Sequence, residues 1–508
     1  MNCIDFYSGI GGWTLGMKLA GVTHHSSFEW SPSSNATHNI NFGTSNKESD
    51  IRKLDLKSLP KPNSIDFIVG SPPCTQFSYS NRGGNGDIND GLIDLHKFLT
   101  IVEYLKPKCW AMENVPRVKG ILNELTKSHP DFQRFRKLIT FNEIVNCLDY
   151  GVPQGRKRMV CGNFPSELFI SYQDKIPRMS MRDALSQLEK PPYQDLLFGK
   201  TIDAITENEK EVPLTDEEIR INREAKAYHP VYNKMSFPDE LDRAARTVTS
   251  LCTRVSRESI IIADSGHFRR LTIREKATLM GFPLNFEFYA KSHSTKLKMI
   301  GNAIPPPLTF HIFNAMLENE YTPLKTGACY SHIAPVEDLI STPPPAPRRL
   351  YSPNRRFRFC IPSLRFGSGV RFELSNTEGE WRIRFFYGSS KQILAINLDK
   401  KVENELSEHI EPLMSDFDLT LPTKLSSKTL QIGWTGGENH PFKILDHLGS
   451  LGCNIEKKLS QLNHSESILD SIMPLKLNKS LKNNAIKTIA GLYLGSKFNT
   501  EMEKRDKL

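Results

Sequence analysis

The stretch Gly70-Ser71-Pro72-Pro73-Cys74-Thr75-Gln76-Phe77-Ser78 places one cysteine on a stiff turn directly after the apolar run Asp66-Phe67-Ile68-Val69. A short apolar run bounded by turn residues is typical of a buried strand in a parallel sheet. Two consecutive prolines fix φ and favour extended backbone before them, so the thiol of Cys74 is held in one direction. Open α/β sheets bind ligands beyond the carboxyl ends of their strands, and the turn falls there. The pattern therefore predicts a nucleophile at the edge of an α/β sheet.

A free thiol has a pKa near 8.5, so only about one in thirty is ionised at pH 7. A nucleophilic cysteine therefore needs activating partners from elsewhere in the chain. Taken alone, a Pro-Pro-Cys turn more often holds an ordinary buried cysteine than a nucleophile.

The composition is that of a globular protein: 508 residues, 38% hydrophobic and 24% charged, with a formal net charge of +9. This length favours two or three domains. There is no apolar run of eighteen residues and no leader-like N-terminus, so we expect a soluble intracellular protein with no membrane partner. The nine cysteines lack paired spacing, which argues against a disulfide framework and a structural zinc site. The positive charge is a weak indication of a polyanionic partner.

The N-terminal segment has the pattern of a nucleotide-cofactor site. A strand at residues 2–6 precedes the glycine turn at residues 7–12, and a helical pattern then runs to Gly21. Such a turn lets the backbone approach a ligand at a helix N-terminus. The spacing is not Gly-x-Gly-x-x-Gly, which favours a smaller adenosyl ligand over a dinucleotide. A second strand, Ser26-Ser27-Phe28-Glu29-Trp30, ends in a carboxylate suited to ribose hydroxyls, and Asp50-Ile51 could hold an adenine ring.

Further chemistry-bearing residues follow predicted strands. Residues 81–87 predict a polar loop, and apolar residues from Leu92 to Leu105 fall at helical spacing. The strand Cys109-Trp110-Ala111-Met112 ends in Glu113-Asn114-Val115, at the edge where Cys74 is expected. A basic turn, residues 151–158, then leads into the strand Met159-Val160-Cys161.

Five motifs carry a resemblance over roughly the first 320 positions. They are Phe6-x-x-Gly9-x-Gly11-Gly12, Pro72-Pro73-Cys74, Glu113-Asn114-Val115, Gln154-x-Arg156-x-Arg158 and Gly301-Asn302-Ala303-Ile304-Pro305-Pro306-Pro307-Leu308. Their order and spacing resemble those of the DNA (cytosine-5) methyltransferases. The resemblance implies an α/β fold: a Rossmann-like S-adenosylmethionine-dependent methyltransferase domain with a mostly parallel, doubly wound sheet, acting on a cytosine flipped out of duplex DNA.

The resemblance also assigns catalytic roles. Cys74 matches the nucleophile that adds to carbon 6 of cytosine, and Glu113 matches the protonated carboxyl that bonds ring nitrogen 3. Arg156 and Arg158 match arginines that contact the base and orient the nucleophile. One departure is Thr75, which stands where many members have glutamine; we expect activity to survive it.

Cofactor and substrate contacts follow in the same way. Phe6 is expected to stack on adenine, Glu29 to bind the ribose, and Asn302 to close the methionine end. The full set expected at S-adenosylmethionine is Phe6, Ser8, Gly9, Gly11, Gly12, Glu29, Trp30, Asp50, Ile51 and Asn302. The set expected at the substrate is Pro73, Gln76, Ser78, Asn114 and Gln154. The loop from Ser80 to Asp90 matches one that closes over the flipped base, and no metal is expected.

The domain organisation is expected to be a catalytic core at 1–165, a short recognition region at 166–245, a return to the core at 246–325, a Pro/Arg-rich linker at 326–360 and a C-terminal α+β domain at 361–508. Within the recognition region, the acidic stretch 206–211 is expected to face solvent. In the tail, alternation at 370–374 and 381–385 predicts a hairpin, and 399–410 and 455–472 predict helices. The tail could recognise DNA, or serve packing or dimerisation; no convincing nuclease motif is present.

The functional hypothesis is a monomeric DNA (cytosine-5) methyltransferase that modifies a specific duplex sequence in a restriction-modification system. Its expected partners are double-stranded DNA and a separately encoded cognate endonuclease, and its expected location is the bacterial cytoplasm or nucleoid. Two alternatives stay open: a tRNA cytosine-5 methyltransferase on the same fold, and a catalytically silent DNA-binding relative. Intact Cys74, Glu113, Arg156 and Arg158 argue against silence.

Overall fold

The computed structural model describes residues 1–77, 87–226, 235–324, 341–344, 355–360, 370–377, 380–387, 392–419, 451–452, 454–461, 464–472 and 485–506. The chain forms two compact units: unit 1 is Met1–Leu214 with Phe237–Ala346, and unit 2 is Thr215–Ser236 with Pro347–Leu508. The chain therefore crosses between the units three times. Ser78 and most of the predicted loop from Ser80 to Asp90 lie outside the described residues.

Unit 1 alternates strands and helices in its N-terminal half and is more irregular afterwards. Its elements are β1 (Asn2–Phe6), α1 (Gly12–Leu19), β2 (Thr23–Phe28), α2 (Pro32–Phe42), β3 (Phe67–Gly70), α3 (Ile88–Leu105), β4 (Cys109–Asn114), α4 (Arg117–Ser128), α5 (Pro130–Gln133), β5 (Phe141–Asn146), β6 (Gln154–Gly155), β7 (Lys157–Asn163), α6 (Ser166–Ser171), α7 (Met181–Ser186), β8 (Tyr193–Asp195), β9 (Lys200–Ile202), β10 (Ala245–Arg246), β11 (Ile261–Asp264), β12 (His267–Arg270), α9 (Ile273–Leu279), α10 (His293–Asn302) and α11 (Pro306–Met316).

A six-stranded sheet in the order β2-β1-β3-β4-β7-β5 forms the centre of unit 1. Strands β2, β1, β3 and β4 are parallel, whereas β7 is antiparallel to both β4 and β5. The prediction of a mostly parallel sheet is confirmed. Because β7 alone is reversed, its beginning lies at the same edge of the sheet as the carboxyl ends of β1, β3 and β4. That edge carries the candidate site.

The two ends of the family-like region pack against each other through α1 and α11. Gly16 in α1 approaches α11 so closely that a Cβ there would lie 2.1 Å from Thr309 Oγ1. The same hydroxyl donates a 2.9 Å hydrogen bond to the carbonyl of Gly12. Pro305 precedes α11, and Pro306 and Pro307 occupy its first turn, where prolines are tolerated. The glycine turn after β1 and the motif at 301–308 are thus neighbours.

The prediction that residues 206–211 face solvent is wrong for Glu207 and Glu211, although Glu209 and Lys210 are exposed. Glu207 and Glu211 are both 3% exposed. Glu207 pairs with Lys296, and Glu211 receives two 2.6 Å hydrogen bonds from Arg270. An acidic run looks solvated in the sequence because its cationic partners lie about 60 to 90 residues further along the chain. Burial is tolerated because each carboxylate is paired.

Unit 2 combines α8 (Asp216–Lys226) with a sheet and helices from the C-terminal part of the chain. Its strands are β13 (Arg355–Cys360), β14 (Val370–Thr377), β15 (Glu380–Tyr387) and β16 (Gln392–Asn397), which form an antiparallel sheet in sequence order. Its C-terminal helices include α12 (Lys400–His409), α13 (Ser465–Ile472) and α14 (Ala485–Asp506). The predicted hairpin is confirmed as β14 and β15.

The prediction of one helix over 455–472 is wrong. Helical residues 454–459 are separated from α13 by turn residues at 460–461 and 464. Ser460 Oγ donates a 2.6 Å hydrogen bond to the Lys457 carbonyl, a local bond that competes with helix continuation. Across the residues that the structure describes, helices are too short or too polar to cross a membrane.

Candidate active site

The turn between β1 and α1 requires glycine for two different reasons. Gly9 and Gly11 have φ values of 54° and 93°, in the left-handed region. A Cβ on Gly11 would lie 2.2 Å from the Phe42 ring, and one on Gly12 would lie 2.1 Å from the Ile304 carbonyl oxygen. A Cβ on Gly9 would meet no protein atom within 4 Å. Gly11 and Gly12 therefore allow close packing, while Gly9 leaves open space beside the turn.

Glu29 lies one residue past β2 and is hydrogen-bonded to this turn. Its Oε2 accepts a 2.9 Å hydrogen bond from the Gly9 amide, and its Oε1 accepts a 2.8 Å bond from the Ser31 amide. The side chain is buried, and this burial raises the pKa of its carboxyl. Trp30, the next residue, is 69% exposed. The structure thus brings two predicted cofactor residues to the same edge.

Asp50 and Ile51 lie beside Glu29 because the Ser49 amide donates a 2.8 Å hydrogen bond to the Glu29 carbonyl. Asp50 caps a short 3-10 helix, Ile51–Lys53. Its hydrogen bond to Lys53 holds the pKa of the exposed Asp50 carboxyl below its usual range. Ile51 is buried and supplies an apolar surface next to that carboxylate.

The three remaining cofactor candidates have different surroundings. Phe6 is fully buried, and its ring stacks on Phe28 at a centroid distance of 4.9 Å. Ser8 has a buried Oγ with no hydrogen-bond partner in the described structure. Asn302 is exposed at the end of α10. A polar atom left unpaired at a glycine turn is an expected contact point for a bound polar group.

The Cys74 turn is held by backbone and amide contacts from both neighbouring strands. The Ser71 amide donates to the Phe6 carbonyl at 3.2 Å, and Asn114 Nδ2 donates to the Pro72 carbonyl at 3.0 Å. The Phe77 amide donates to the Cys74 carbonyl at 3.0 Å. Asn114 is therefore a support for the turn, and Pro73 and Cys74 stay partly exposed.

Glu113 and Arg158 form an ion pair next to Cys74. Arg158 Nε lies 2.8 Å from Glu113 Oε1, and the two side chains are 12% and 8% exposed. Burial raises the pKa of the Cys74 thiol, and the Glu113 charge raises it further. The charges of Arg158 and Arg156 act in the opposite direction. The thiol, the carboxyl and the guanidinium of Arg158 thus form one electrostatic unit.

The reversed direction of β7 explains how Arg158 reaches Glu113. In the β4–β7 pairing, Glu113 lies opposite Val160 and Asn114 opposite Met159. Arg158 therefore comes just beyond the end of β4, at the edge that carries the Cys74 turn. The sequence indicates a basic turn before a strand but contains no signal for the antiparallel direction of that strand.

Arg156 has different contacts from Arg158. It is 1% exposed, and its guanidinium donates to the carbonyls of Val248 at 2.9 Å, Gly301 at 2.8 Å and Ala303 at 3.1 Å. Burial lowers its pKa to about 9, and the neighbouring Arg158 contributes to the shift. Arg156 thus joins the start of the β7 region to the segment that contains Asn302.

Gln154 and Gln76 also bind protein groups. Gln154 is fully buried; its Nε2 donates to the Leu279 carbonyl at 3.0 Å and its Oε1 accepts from the Val248 amide at 2.9 Å. Gln76 Oε1 accepts from the Asp87 amide at 3.0 Å, so it connects the cysteine turn to the start of α3.

Arg52 is a residue that sequence reasoning missed. It binds Asp94 through Nε and Nη2, at 3.0 and 2.7 Å, and its Nη1 lies 2.8 Å from Asp90. The Tyr7 hydroxyl also contacts Asp94, at 3.2 Å. Arg52 therefore ties the Asp50–Ile51 segment to α3 and to the glycine turn. No local pattern marks it, because its partners lie about forty residues away.

The glycine turn at the end of β1, the anchored acid after β2 and the mostly parallel sheet define a Rossmann-like methyltransferase. A family model described as C-5 cytosine-specific DNA methylase matches residues 1–318, so the chain belongs to that family. Its activity is that of a DNA (cytosine-5) methyltransferase.

Curated relatives match the same part of the chain. It is 28% identical over 333 residues to the type II methyltransferase M.FnuDI of Fusobacterium nucleatum, covering 63% of this chain and 94% of the relative. It is 28% identical over 348 residues to the type II methyltransferase M.NgoPII of Neisseria gonorrhoeae, covering 62% and 95%. Among solved structures, the S. pombe Dnmt2 methyltransferase aligns at 17% identity with a TM-score of 0.44, over 63% of this chain and 98% of that one.

Proposed function

We propose that this protein transfers a methyl group from S-adenosylmethionine to carbon 5 of a flipped cytosine in a specific duplex DNA sequence. The observation that carries the proposal is the Glu113–Arg158 ion pair beside the Cys74 turn. Each of the three side chains supplies a different requirement of the reaction: a nucleophile, a proton donor and a fixed positive charge.

Cys74 is the proposed nucleophile. Carbon 5 of cytosine is a poor nucleophile, and addition of a thiolate to carbon 6 makes it electron-rich. In the free protein the raised pKa keeps the Cys74 thiol protonated at neutral pH. We infer that the Cys74 thiol proton passes to the Glu113 carboxylate as the base enters and that Glu113 delivers it to ring nitrogen 3, where it offsets the negative charge that thiolate addition brings to the ring. After methyl transfer, water takes the carbon 5 proton, the bond between carbon 6 and sulfur breaks to release the Cys74 thiolate, and the proton on ring nitrogen 3 returns through Glu113 to the sulfur.

Glu113 is the proposed proton donor to ring nitrogen 3, and Arg158 the residue that holds it. The ion pair fixes the Glu113 carboxyl at the sheet edge within reach of a base above Cys74. A preorganised donor at that position stabilises the charge that develops on the ring. The 2.8 Å contact with Glu113 keeps the Arg158 charge close to the Cys74 thiol throughout the reaction.

Arg156, Gln154 and Asn114 are proposed as positioning residues. Their donors already bind protein carbonyls: those of Val248, Gly301 and Ala303 for Arg156, that of Leu279 for Gln154 and that of Pro72 for Asn114. This differs from the expectation that Arg156, Gln154 and Asn114 touch the base. They would act by fixing the cysteine turn and the segment that carries Asn302.

The residues around the β1–α1 turn fit an adenosyl sulfonium cofactor. The space beside Gly9 and the unpaired Ser8 Oγ suit a close polar group, and the Asp50–Ile51 pair offers a carboxylate beside an apolar side chain. Glu29 would hold the ribose hydroxyls while staying fastened to Gly9 and Ser31. When bound, S-adenosylmethionine supplies an electrophilic methyl group. Phe6 would support the adenine from beneath, because its ring is enclosed in the core.

The substrate must leave the base stack to reach Cys74, at a cost of a few kcal/mol. We propose double-stranded DNA as the substrate and a restriction-modification system as the context, since the relatives are type II methyltransferases. A separately encoded endonuclease that cleaves the same sequence is the corresponding partner, and a monomer located in a bacterial cytoplasm is the expected form.

The test is tritium transfer from labelled S-adenosylmethionine to unmethylated duplex DNA and, in parallel, to bulk tRNA. Wild type is compared with Cys74→Ala, and bisulfite sequencing of the duplex then locates the modified cytosine. Label in DNA that depends on Cys74 supports the proposal. Label only in tRNA would assign the protein to RNA modification, and absence of label in both would favour a silent DNA-binding relative.

A further inference from the structure

The positive charge of this protein is concentrated in its C-terminal part. Residues 347–508 contain 25 Lys and Arg against 18 Asp and Glu, a net charge of +7 out of +9 for the whole chain. Residues 1–346, which include the catalytic site, contribute only +2. The matched family region ends at residue 318, so it does not account for this charge. A protein that acts on a polyanion commonly holds it through such a basic region.

The positively charged residues of the unit 2 sheet are arginines. Strands β13, β14 and β15 contain six arginines, no lysine and two glutamates. Arginine presents a rigid fork of donors that matches phosphate oxygens, whereas lysine presents a single point charge. The composition therefore favours phosphate contact over general solubility.

The strand register places most of these arginines on one face. Position 382 pairs with 375, which pairs with 358, and position 384 pairs with 373. Paired residues share a face, as do residues two apart in a strand. Positions 355, 358, 371, 382 and 384 therefore belong to one face, together with the glutamates at 373 and 380. We call this surface the arginine face.

The opposite face of the sheet is apolar and packs against α14. Ile383 and Phe385 alternate with Arg382 and Arg384 and are fully buried, and Ile396 on β16 is buried with them. The α14 backbone lies against this side, because a Cβ on Gly495 would be 2.4 Å from Ile383 Cδ1. The apolar side of the sheet is thus its core side.

On the arginine face, every position whose exposure the structure describes is exposed: Arg382, Ala395 and Asn397. Arg382 Nε donates a 2.8 Å hydrogen bond to Asn397 Oδ1 on the same face. A sheet face whose described positions are exposed and whose charged positions are mainly arginine is the arrangement expected for contact with a polyanion.

We propose that the arginine face of unit 2 binds the phosphate backbone of duplex DNA and so adds to the DNA affinity of the catalytic unit. The inference rests on the proposed function for its choice of partner. Unit 2 also includes residues 215–236, so it is joined to the catalytic unit by three chain connections. Because the two units belong to one chain, the arginine face and Cys74 can act on the same DNA molecule.

The test compares two double charge reversals in the full-length protein. Arg382→Glu with Arg384→Glu alters the arginine face, and Lys400→Glu with Lys401→Glu makes the same charge change at the exposed start of α12. We expect the first variant to raise the Kd and KM for duplex DNA about tenfold or more and to leave kcat at saturating DNA within about twofold. The slope of log Kd against log salt should become smaller in magnitude by about two. The α12 variant should change these quantities much less.

Equal effects of the two reversals on DNA binding would overturn the inference. An unchanged Kd accompanied by a changed oligomeric state in gel filtration would also overturn it, and would assign the face to a protein partner. If the reversal lowers Tm, Arg382→Gln with Arg384→Gln repeats the comparison with less perturbation, and there a salt slope equal to that of wild type would overturn the inference. Direct DNA binding is measured without methyl transfer, so failure of wild type to methylate DNA would reject the proposed function separately.

Discussion

Arg158 Nε lies 2.8 Å from Glu113 Oε1, and both side chains are nearly buried at the edge of the sheet beside Cys74. The two charges act on the Cys74 thiol in opposite directions: Glu113 raises its pKa and Arg158 lowers it. Substitution of one partner at a time should therefore change the pKa of the Cys74 thiol in a known direction. This effect can be measured separately from the rate of methyl transfer.

Glu113→Gln should make Cys74 more reactive while making the enzyme less active. Removal of the carboxylate lowers the thiol pKa, so alkylation of Cys74 by iodoacetamide at pH 7.5 should accelerate several-fold, since the thiolate is the reactive form. Methyl transfer should fall by about 10²- to 10⁴-fold, the usual loss when a proton donor is removed. Mass spectrometry of the Cys74 peptide and tritium transfer measure the two effects.

Arg158→Met should have the opposite effect on the reactivity of Cys74. It should slow alkylation of Cys74, because the charge that lowers the thiol pKa is lost, and it should also reduce methyl transfer. If Glu113→Gln and Arg158→Met changed the alkylation rate in the same direction, the electrostatic account of the site would be wrong.

Arg156→Ala should act mainly on stability. It leaves three buried carbonyls without their donor, and we expect a loss of about 3 kcal/mol or more in the free energy of unfolding. Arg178→Ala is the control: Arg178 is a surface residue, and its loss should change stability by about 0.5 kcal/mol or less. Urea unfolding measures both. A stable Arg156→Ala protein with abolished kcat would instead give Arg156 a direct role at the base.

Comparison of Gly9→Ala with Gly12→Ala should distinguish a glycine that leaves space for the cofactor from a glycine that is needed for close packing. In Gly12→Ala the new Cβ would lie 2.1 Å from the Ile304 carbonyl oxygen, so little folded protein is expected. In Gly9→Ala the positive φ costs roughly 1–2 kcal/mol without a clash, and KM for S-adenosylmethionine should rise. Gly43→Ala has a similar φ of 63° and open space, at the end of α2. It should lower Tm comparably and leave KM unchanged; equal KM effects in both would refute cofactor contact at Gly9.

Two buried histidines should make the protein less stable in mild acid. Burial lowers the pKa of His38 and of His311 to about 3, against about 6.5 in an unfolded chain. Below pH 6.5 the unfolded state binds more protons, so stability is lost as pH falls. At pH 5 the loss is about 2 kcal/mol for each histidine.

His311→Phe should flatten this pH dependence. The substitution removes the titrating ring and also the buried Nδ1, which has no hydrogen-bond partner in the described structure. The difference in unfolding free energy between pH 8 and pH 5 should shrink by about 2 kcal/mol relative to wild type. His25→Gln, an exposed position, serves as the control. An unchanged pH dependence in His311→Phe would contradict the prediction.

The sequence by itself determined the family, the mostly parallel sheet and the positions of Cys74, Glu29 and Glu113 at strand ends, because each motif and each strand pattern is a short run of residues and the order of the motifs can be read along the chain. Apolar runs, glycines and prolines set the backbone locally, and polar residues directly after strands face the sheet edge in any such fold.

Only the tertiary structure decided which of these residues meet. The reversed β7 brings Arg158 to Glu113 and turns Arg156 toward carbonyls about ninety residues or more away. The same long-range pairing buries Glu207 and Glu211, and the register of the unit 2 sheet places its arginines on one face. Strand direction and ion pairing between distant segments depend on how the whole chain packs, and no local pattern encodes them.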